Sequence, residues 1–288
     1  MIEFLQEIFT YRFLGNAALA AVLSGIACGI VGSYIVSRRL VFMSGGLTHA
    51  SFGGIGIAYY LGANPLIGAL IFAIGAALGI ELFSRRGKVS EDAATGILWS
   101  VGMSIGIIFV FLTPGYAPNL MSFLFGNILL VDGTNLLCLC VLDATLVLLL
   151  GGCYRAIVYT AFDREFAATQ RLPVKAIGYM AMGLIAITIV LNIKTMGIVL
   201  LMSLLTMPAV IAGTLTRDYK RMTYWACAIG STATIVGLYV SYVSNVPAGA
   251  ATIAVLAAVY GVIKGVQGGV NRRRTHSRRP TKAVISPE

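Results

Sequence analysis

Nine separate stretches of this sequence are apolar for about 20 residues each, the length that an α-helix needs to cross the hydrocarbon core of a bilayer. The sequence therefore predicts an all-α, polytopic membrane protein with about eight to nine transmembrane helices. The candidate spans are 14–36, 44–62, 65–83, 93–112, 134–152, 174–193, 196–215, 223–244 and 248–267.

Composition supports lipid as the solvent for this chain. Of its 288 residues, 58% are hydrophobic and 11% are charged, whereas roughly 25% of residues are charged in ordinary soluble domains. The net charge of +10 comes from basic residues in the short gaps between apolar runs and in the tail. That distribution indicates membrane topology and not a nucleic-acid-binding face. We predict one transmembrane domain over residues 1–270 and a basic, disordered cytoplasmic tail over 271–288.

Basic residues occupy alternate gaps between the spans. They cluster in five regions, around Arg38, Arg85, Arg164 and Arg217 and after Lys264. The gaps 62–65, 113–118 and 245–249 carry none, and Lys194 is alone in the fourth. By the positive-inside rule, the N-terminus lies outside and the C-terminus in the cytoplasm. The alternation holds only if the shorter apolar piece 119–131 does not cross, so we predict a re-entrant or broken helix there.

Known catalytic and nucleotide-binding motifs are absent from the sequence. It contains neither a Gly-x-x-x-x-Gly-Lys-Ser/Thr loop nor a His-Glu-x-x-His motif, and its only histidines are His49 and His276. We expect a non-catalytic chain without a permanently bound cofactor. Any work driven by ATP would need a separate hydrolysing chain.

One histidine, His49, lies inside the second apolar span, about one helical turn after Ser44. An ionisable residue at this depth is costly unless it faces a cavity or a partner. A neutral imidazole is also the commonest protein ligand for transition metals. His49 is therefore either a ligand on a metal path or a histidine that hydrogen-bonds a neighbouring helix.

The longest gap on the predicted cytoplasmic side is helix-prone, mixed in charge and followed by Pro173. Phe162, Phe166 and Ala167 fall at helical spacing and give this segment a short apolar face. Such a face suits docking into a groove on a soluble partner. The alternative is a solvated connector that lies on the membrane.

A proline, Pro208, lies inside the span 196–215. Proline removes one helical hydrogen bond and exposes a carbonyl group, which is common where a helix lines a pathway. Ser203 and Thr206 lie on neighbouring faces of the same helix. The segment is therefore either a helix break that lines a path or a structural kink.

Five short motifs occur in order along the chain. They are the stretch from Arg38 to Ala50, Leu124-Phe125-Gly126, Asp163-x-Glu165-x-Ala167, the stretch from Ser203 to Ala209, and Pro247-Ala248-Gly249. With these motifs, from about Gly25 to Lys264, the chain resembles the permease subunits of the ABC-type zinc, manganese and iron importers of bacteria, the ABC-3 metal permeases.

The resemblance implies a multi-pass protein of the bacterial inner membrane with a fold like that of type II ABC importers. It also implies a homodimer around a central path, two cytoplasmic ATPase subunits that bind ATP, and an external metal-binding protein that delivers the ion. The segment from Phe162 to Arg171, with Asp163, Glu165 and Ala167, would form the coupling helix that seats in the ATPase. His49 would lie on the metal path.

Three positions depart from the pattern of that family. The aspartate that commonly precedes the histidine by four residues is Gly45, the usual glycine of the coupling loop is Arg171, and the usual acidic residue after Gly126 is Asn127. Without the aspartate, a metal would need His49 together with neutral or softer donors. The candidates that we nominate are Ser44, Thr48, Asn127 and a methionine such as Met43.

Two other functions stay open at this point. Because Gly45 weakens the assignment of a metal, the same architecture would also suit another solute, such as an iron chelate. A secondary cation transporter without an ATPase would need a buried acidic residue as the ion or proton carrier, and Asp143 is the candidate.

Overall fold

The computed structural model describes residues 6–8, 10–85, 89–114 and 126–277, with the backbone alone at Arg85 and at 268–277. All regular secondary structure in these ranges is helical, which confirms the predicted fold class. A 3-10 turn at Ile128–Leu130 lies between α4 and α5. The helices are α1 (Arg12–Ser37), α2 (Val41–Tyr60), α3 (Pro65–Arg85), α4 (Glu91–Leu112), α5 (Gly133–Gly152), α6 (Tyr154–Phe162), α7 (Arg164–Thr169), α8 (Val174–Leu215), α9 (Tyr219–Ser244) and α10 (Ala248–Ser277).

Within the described ranges, seven helices are long and apolar enough to cross a membrane: α1, α3, α4, α5, α8, α9 and α10. The predicted count of eight to nine is slightly higher, for two reasons. Helix α2 has 20 residues, but its many glycine, serine and threonine residues lower its mean hydropathy. Helix α8 is counted once, although it contains both predicted spans 174–193 and 196–215 on either side of a break.

Helix α8 folds back on itself at Gly197. Its 42 residues would extend about 63 Å in a straight helix, twice the hydrocarbon thickness of a bilayer. Gly197 interrupts the helix with φ 75° and ψ 162°. Ile177, near the start of α8, lines the same small cavity as Tyr219, which follows the end of α8. The helix is therefore a hairpin of two arms, 174–196 and 198–215.

Helices α1 and α8 form the centre of the bundle. In the most apolar window of each, 72% of residues are buried, against 22–33% in the other five candidate spans. The outer helices instead expose large apolar side chains, such as Phe111 on α4 and Leu148 on α5. Exposed apolar faces of this kind are expected where a protein contacts lipid.

The structure gathers the predicted cytoplasmic segments at one end of the bundle. Arg38 after α1 lies 3.9 Å from Glu91 at the start of α4, and the ring centroid of Phe162 lies 6.0 Å from that of Tyr219. We call this the basic end. At the opposite end, the predicted external residues Asn64, Asp132 and Lys194 line one cavity. This grouping agrees with the alternation of the gaps; which end faces the cytoplasm stays a prediction.

Aspartate or serine side chains cap the N-termini of several helices. Ser90, Asp132, Asp163 and Asp218 precede α4, α5, α7 and α9, and each accepts a hydrogen bond from the backbone N–H three residues later, at 2.7–3.2 Å. These side chains satisfy N–H groups that have no partner within their own helix. Local sequence therefore fixes where these helices begin.

Two predictions fall largely outside the described ranges. Residues 115–125 include most of the piece 119–131, with Leu124 and Phe125, and residues 278–288 include the end of the tail. The described remainder of the piece contains Gly126, with φ 64°, and the turn Ile128–Leu130. The re-entrant helix, the domain boundary at 270 and the disordered tail stay predictions.

Candidate metal path and coupling helix

His49 lies near the middle of α2, against α4. Its imidazole ring stacks on Trp99, with the ring centroids 4.7 Å apart and the planes at 5°. The side chain is half-buried, and its Nδ1 atom is buried without a hydrogen-bond partner among the described residues. In the part of the chain that the structure describes, this nitrogen makes no hydrogen bond to a neighbouring helix, and both interpretations of His49, a metal ligand or a packing residue, stay predictions.

Ser44 and Thr48, two of the nominated donors, are engaged by their own helix. The Ser44 hydroxyl donates to the Val41 carbonyl at 2.8 Å, and the Thr48 hydroxyl donates to the Ser44 carbonyl at 2.7 Å. Both side chains are buried, as is Met43. Serine and threonine commonly bond back to the preceding helical turn in this way. The structure therefore places the side chains of these three residues of α2 in the packed interior of the bundle.

A different methionine covers the position one turn before His49. A Cβ atom built on Gly45 would lie 2.6 Å from Cε and 3.8 Å from Sδ of Met202, on the second arm of α8. Met202 is half-buried. In this chain a neutral thioether thus lies beside the position where the related family has a carboxylate, and a thioether is a soft ligand.

Asn127 belongs to the opposite end of the bundle and not to the surroundings of His49. Its side chain accepts a hydrogen bond from the Leu129 backbone N–H at 3.1 Å. It lines a cavity of about 400 Å³ with Thr195, Thr234 and Ser241. A second cavity, which Asn127 shares with Tyr59, lies at the far end of α2. Tyr59 follows His49 by 59 − 49 = 10 residues, or about 15 Å along the helix.

The opposite end also holds a larger cavity of about 430 Å³. Its polar lining includes Tyr59, Asn135 and Lys194. The Lys194 ammonium group lies 3.4 Å from Oδ1 of Asn135 and 3.9 Å from a carboxylate oxygen of Asp132. Lys194, the single basic residue of this gap, is therefore paired. The pairing weakens the electrostatic repulsion between its ammonium group and an approaching cation.

The second arm of α8 presents polar groups beside Met202. Ser203 and Thr206 are half-buried, whereas Pro208 is buried. The Thr206 hydroxyl donates to the Met202 carbonyl at 2.9 Å, and the Ser203 hydroxyl donates to the Val199 carbonyl at 3.3 Å. Pro208 lies inside the second arm, so its role as a helix break that lines a path stays a prediction, whereas the break at Gly197 falls at the gap predicted between the spans 174–193 and 196–215.

Gly197 packs against a second glycine, Gly126, which also has a positive φ. A Cβ atom on Gly126, which has φ 64°, would overlap the backbone nitrogen of Gly197. Gly126 therefore lies in backbone contact with the break of α8. Only glycine combines a positive φ with so close an approach at low cost.

The predicted coupling segment forms a short helix at the basic end. Asp163 is the N-cap of α7, with its side chain accepting from the Phe166 backbone N–H at 2.9 Å. Phe162 is 64% exposed, and Asp163 and Glu165 are also exposed. Ala167 is fully buried, so it faces the bundle. The expectation that it shares an apolar face with Phe162 and Phe166 was wrong. The exposed part of the segment is aromatic and acidic.

Arg171 ends this segment in a left-handed conformation, with φ 58°. Its backbone N–H donates to the Ala168 carbonyl at 3.0 Å, and that of Leu172 donates to the Ala167 carbonyl at 3.2 Å. This is the Schellman motif, which favours glycine at the left-handed position. The motif gives the physical reason for a glycine in the related family, and Arg171 occupies the position at a cost in strain.

A buried ion pair joins α7 to the bundle. Nη2 of Arg164 lies 3.2 and 3.3 Å from the two carboxylate oxygens of Glu81 on α3. The Glu81 side chain is completely buried. In the sequence, Arg164 is one of the basic residues that indicate topology, and Glu81 lies near the end of the span 65–83.

Several residues of the site could not be found by pattern alone. Trp99 and Met202 lie in ordinary apolar spans, and Gly197 is one of many glycines. The one available signal was chemical, since Glu81 is an acidic residue close to the end of an apolar span and such residues need a partner. The sequence offered no means to select Arg164 as that partner.

Comparisons with known proteins show what the chain as a whole is similar to. The chain is 38% identical over 260 residues to an uncharacterised membrane protein of Synechocystis sp., with 90% of this chain and 92% of that protein covered. It is 32% identical over 257 residues to MntC, the membrane protein of a manganese transport system in Listeria monocytogenes, with 89% and 91% covered. The solved structure of PsaBC from Streptococcus pneumoniae in complex with Fab matches with a TM-score of 0.81 at 30% identity, covering 91% of this chain and 95% of that one.

The family assignment rests on nearly the whole chain. The model of the ABC 3 transport family matches residues 10–265, which include every helix from α1 to α9 and most of α10. The helical fold, the membrane spans and the order of the five motifs are all consistent with this match. The protein is a member of the ABC 3 transport family.

Proposed function

We propose that this chain is the membrane-spanning permease subunit of an ATP-driven importer for a divalent transition metal: zinc, manganese or iron. The observation that carries the proposal is His49, whose buried Nδ1 atom has no hydrogen-bond partner in the described part of the chain, on a span rich in small polar residues. An intramembrane imidazole in this state is expensive unless an ion or water meets it. The manganese transport named for the MntC relative supports a metal as the solute.

The metal would pass along the surface shared by α2 and the second arm of α8. His49 supplies an imidazole nitrogen, while Met202, Ser203 and Thr206 offer half-buried soft or neutral groups nearby. Few strong donors mean weak binding, which transport requires because the ion must leave as readily as it enters. Alternating access would then expose this surface first to the opposite end and later to the basic end.

The energy would come from a separate cytoplasmic ATPase that binds ATP. The exposed Phe162 and the acidic residues Asp163 and Glu165 form the surface that would seat in that partner. An amphipathic helix laid into a groove is a common mode of recognition. This chain would itself be non-catalytic, since its part is to bind, couple and conduct.

An external metal-binding protein would deliver the ion to the opposite end, where the polar cavities lie. A second copy of this chain would complete the path, because His49 is half-buried and does not line these cavities. The basic end, with the C-terminus, would face the cytoplasm of a bacterial inner membrane, and the N-terminus would lie outside.

A secondary cation transporter is the second candidate, and one observation favours it. Asp143 on α5 is buried, and neither of its carboxylate oxygens has a hydrogen-bond partner among the described residues. A buried carboxyl group of this kind can carry a proton across a bilayer. In that case the purified chain would move cations without an ATPase.

Uptake in proteoliposomes tests the proposal. The chain is reconstituted with the ABC ATPase encoded nearest to its gene, and uptake of radiolabelled zinc, manganese and iron is followed with and without ATP. We expect ATP-dependent uptake of at least one metal. At limiting metal, His49→Ala should reduce uptake by at least about tenfold. Removing a residue that only supports a metal ligand already costs a metal site about that factor in affinity or activity.

The control is His276→Ala, which removes the only other histidine from the end of α10 and should leave uptake unchanged. Uptake by His49→Ala equal to wild type at all metal concentrations would contradict the metal path. Uptake without ATP or ATPase, lost in Asp143→Asn, would support the secondary transporter instead.

A further inference from the structure

The first residue of α7 is held by an ion pair with a fully buried carboxylate. Nη2 of Arg164 donates to both carboxylate oxygens of Glu81, at 3.2 and 3.3 Å. The Glu81 side chain is 0% exposed and that of Arg164 is 29% exposed. Glu81 lies close to the end of α3. The pair therefore fixes both the distance and the direction between α7 and one particular membrane-spanning helix.

Stability alone is a weak reason for this pair. Removing two charges from water usually costs about as much as their attraction returns, and apolar residues of similar size are often as stable or more so. A charged hydrogen bond differs from apolar packing because it is directional and does not slide. The pair therefore suits the transfer of a movement better than the filling of a core.

Helix α3 is in turn packed tightly on α2. A Cβ atom on Gly54 of α2 would overlap the carbonyl oxygen of Gly68 on α3, and one on Gly68 would overlap that of Gly54. Backbones in such close contact cannot shift independently, because packed interiors deform little. A displacement of α3 is therefore passed to α2, the helix that carries His49.

We propose that the Arg164–Glu81 pair transmits the movement of α7 to α3, and through the Gly54–Gly68 contact to the His49-bearing helix α2. Arg164 and Glu81 are positioning residues, since they touch neither ATP nor the metal. The inference rests on the proposed docking of α7 into an ATPase, in which the neighbouring residues Asp163 and Glu165 make the contact while Arg164 points back into the bundle.

The test replaces both charges with apolar side chains of similar length, Glu81→Met together with Arg164→Met, so that neither member of the pair is left charged without the other. The double variant and the wild type are each reconstituted with the ATPase. Three quantities are measured: ATPase bound to the permease, ATP hydrolysed, and metal moved per ATP. We expect binding and hydrolysis to persist while metal moved per ATP falls by roughly tenfold, a typical allosteric coupling.

The matched control is Arg155→Met, which removes an exposed arginine from α6 and should leave the ratio of metal to ATP unchanged. A double variant with the wild-type ratio overturns the inference, and so does one that no longer binds the ATPase, because the pair would then serve docking alone. If the double variant does not insert, Glu81→Gln gives the same readout, and a ratio within twofold of wild type overturns the inference. Absence of ATP-dependent uptake in the wild type would instead refute the proposed function.

Discussion

Replacing Gly54 with alanine tests whether α2 and α3 pack through their backbones. A Cβ atom at this position would overlap the carbonyl oxygen of Gly68 and would lie 2.5 Å from its carbonyl carbon and 2.7 Å from Cβ of Phe72. These atoms belong to the backbone or lie next to it, so no side-chain rotation relieves the contact. The two helices must separate by about 1 Å, which forfeits up to half of the dispersion energy of each pair of atoms in contact.

The free energy of unfolding should fall by about 2 kcal/mol in Gly54→Ala. Overpacking of a close contact costs about 1–3 kcal/mol, and a backbone clash belongs at the upper end of that range. The gain in helix propensity from glycine to alanine offsets at most about 1 kcal/mol of this cost. For a chain of this size, such a loss lowers the melting temperature by roughly 4 °C.

Thermal unfolding in detergent, followed by circular dichroism, measures the effect. The matched control is Gly75→Ala on α3, where an added Cβ would meet nothing within 4 Å, so its melting temperature should stay constant or rise. A Gly54→Ala variant as stable as Gly75→Ala would refute the backbone contact. It would also remove the connection through which α3 is proposed to move α2.

Three further changes test the coupling helix and the metal path. Glu165→Arg should abolish binding of the ATPase while the permease still inserts. The control Asp92→Arg, an equal change of charge at the same end, should leave binding of the ATPase unchanged. Co-purification of the ATPase with Glu165→Arg at the wild-type yield would refute the docking role. Gly45→Asp adds a carboxylate one turn before the histidine and should shift uptake toward manganese relative to zinc, because carboxylates suit manganese; an unchanged ratio in a competition assay would contradict a path at this position. The added side chain must displace only the flexible end of Met202, so this variant should fold. Arg171→Gly should raise the melting temperature, since it relieves a left-handed strain of about 1 kcal/mol; a lower melting temperature would count against that strain.

The local sequence was sufficient to predict the helices of the bundle. Span 65–83 lies within α3 (Pro65–Arg85) and span 134–152 within α5 (Gly133–Gly152). Apolar runs of this length must satisfy their own backbone groups in lipid, so their ends follow directly from composition. Capping residues such as Asp132 fix these ends more closely, through a hydrogen bond to a backbone N–H only three residues later.

The break in α8 was predicted in part. The gap between the predicted spans 174–193 and 196–215 falls within a few residues of Gly197, where the structure interrupts the helix. Pro208 has a strong local tendency to interrupt a helix, yet it lies inside the second arm. The backbone contact between Gly197 and Gly126, far away in sequence, is seen only in the tertiary structure.

The sequence by itself determined that this chain is a helical membrane protein, where most spans begin and end, and that His49 and the segment around Asp163 are its chemically unusual parts. Only the tertiary structure decided which residues meet: His49 with Trp99, Gly45 with Met202, and Arg164 with Glu81 across 83 residues. The physical reason is range. Helix formation and capping depend on neighbours within about one turn, whereas these contacts arise when helices made independently pack face to face, and no local pattern records which faces will touch.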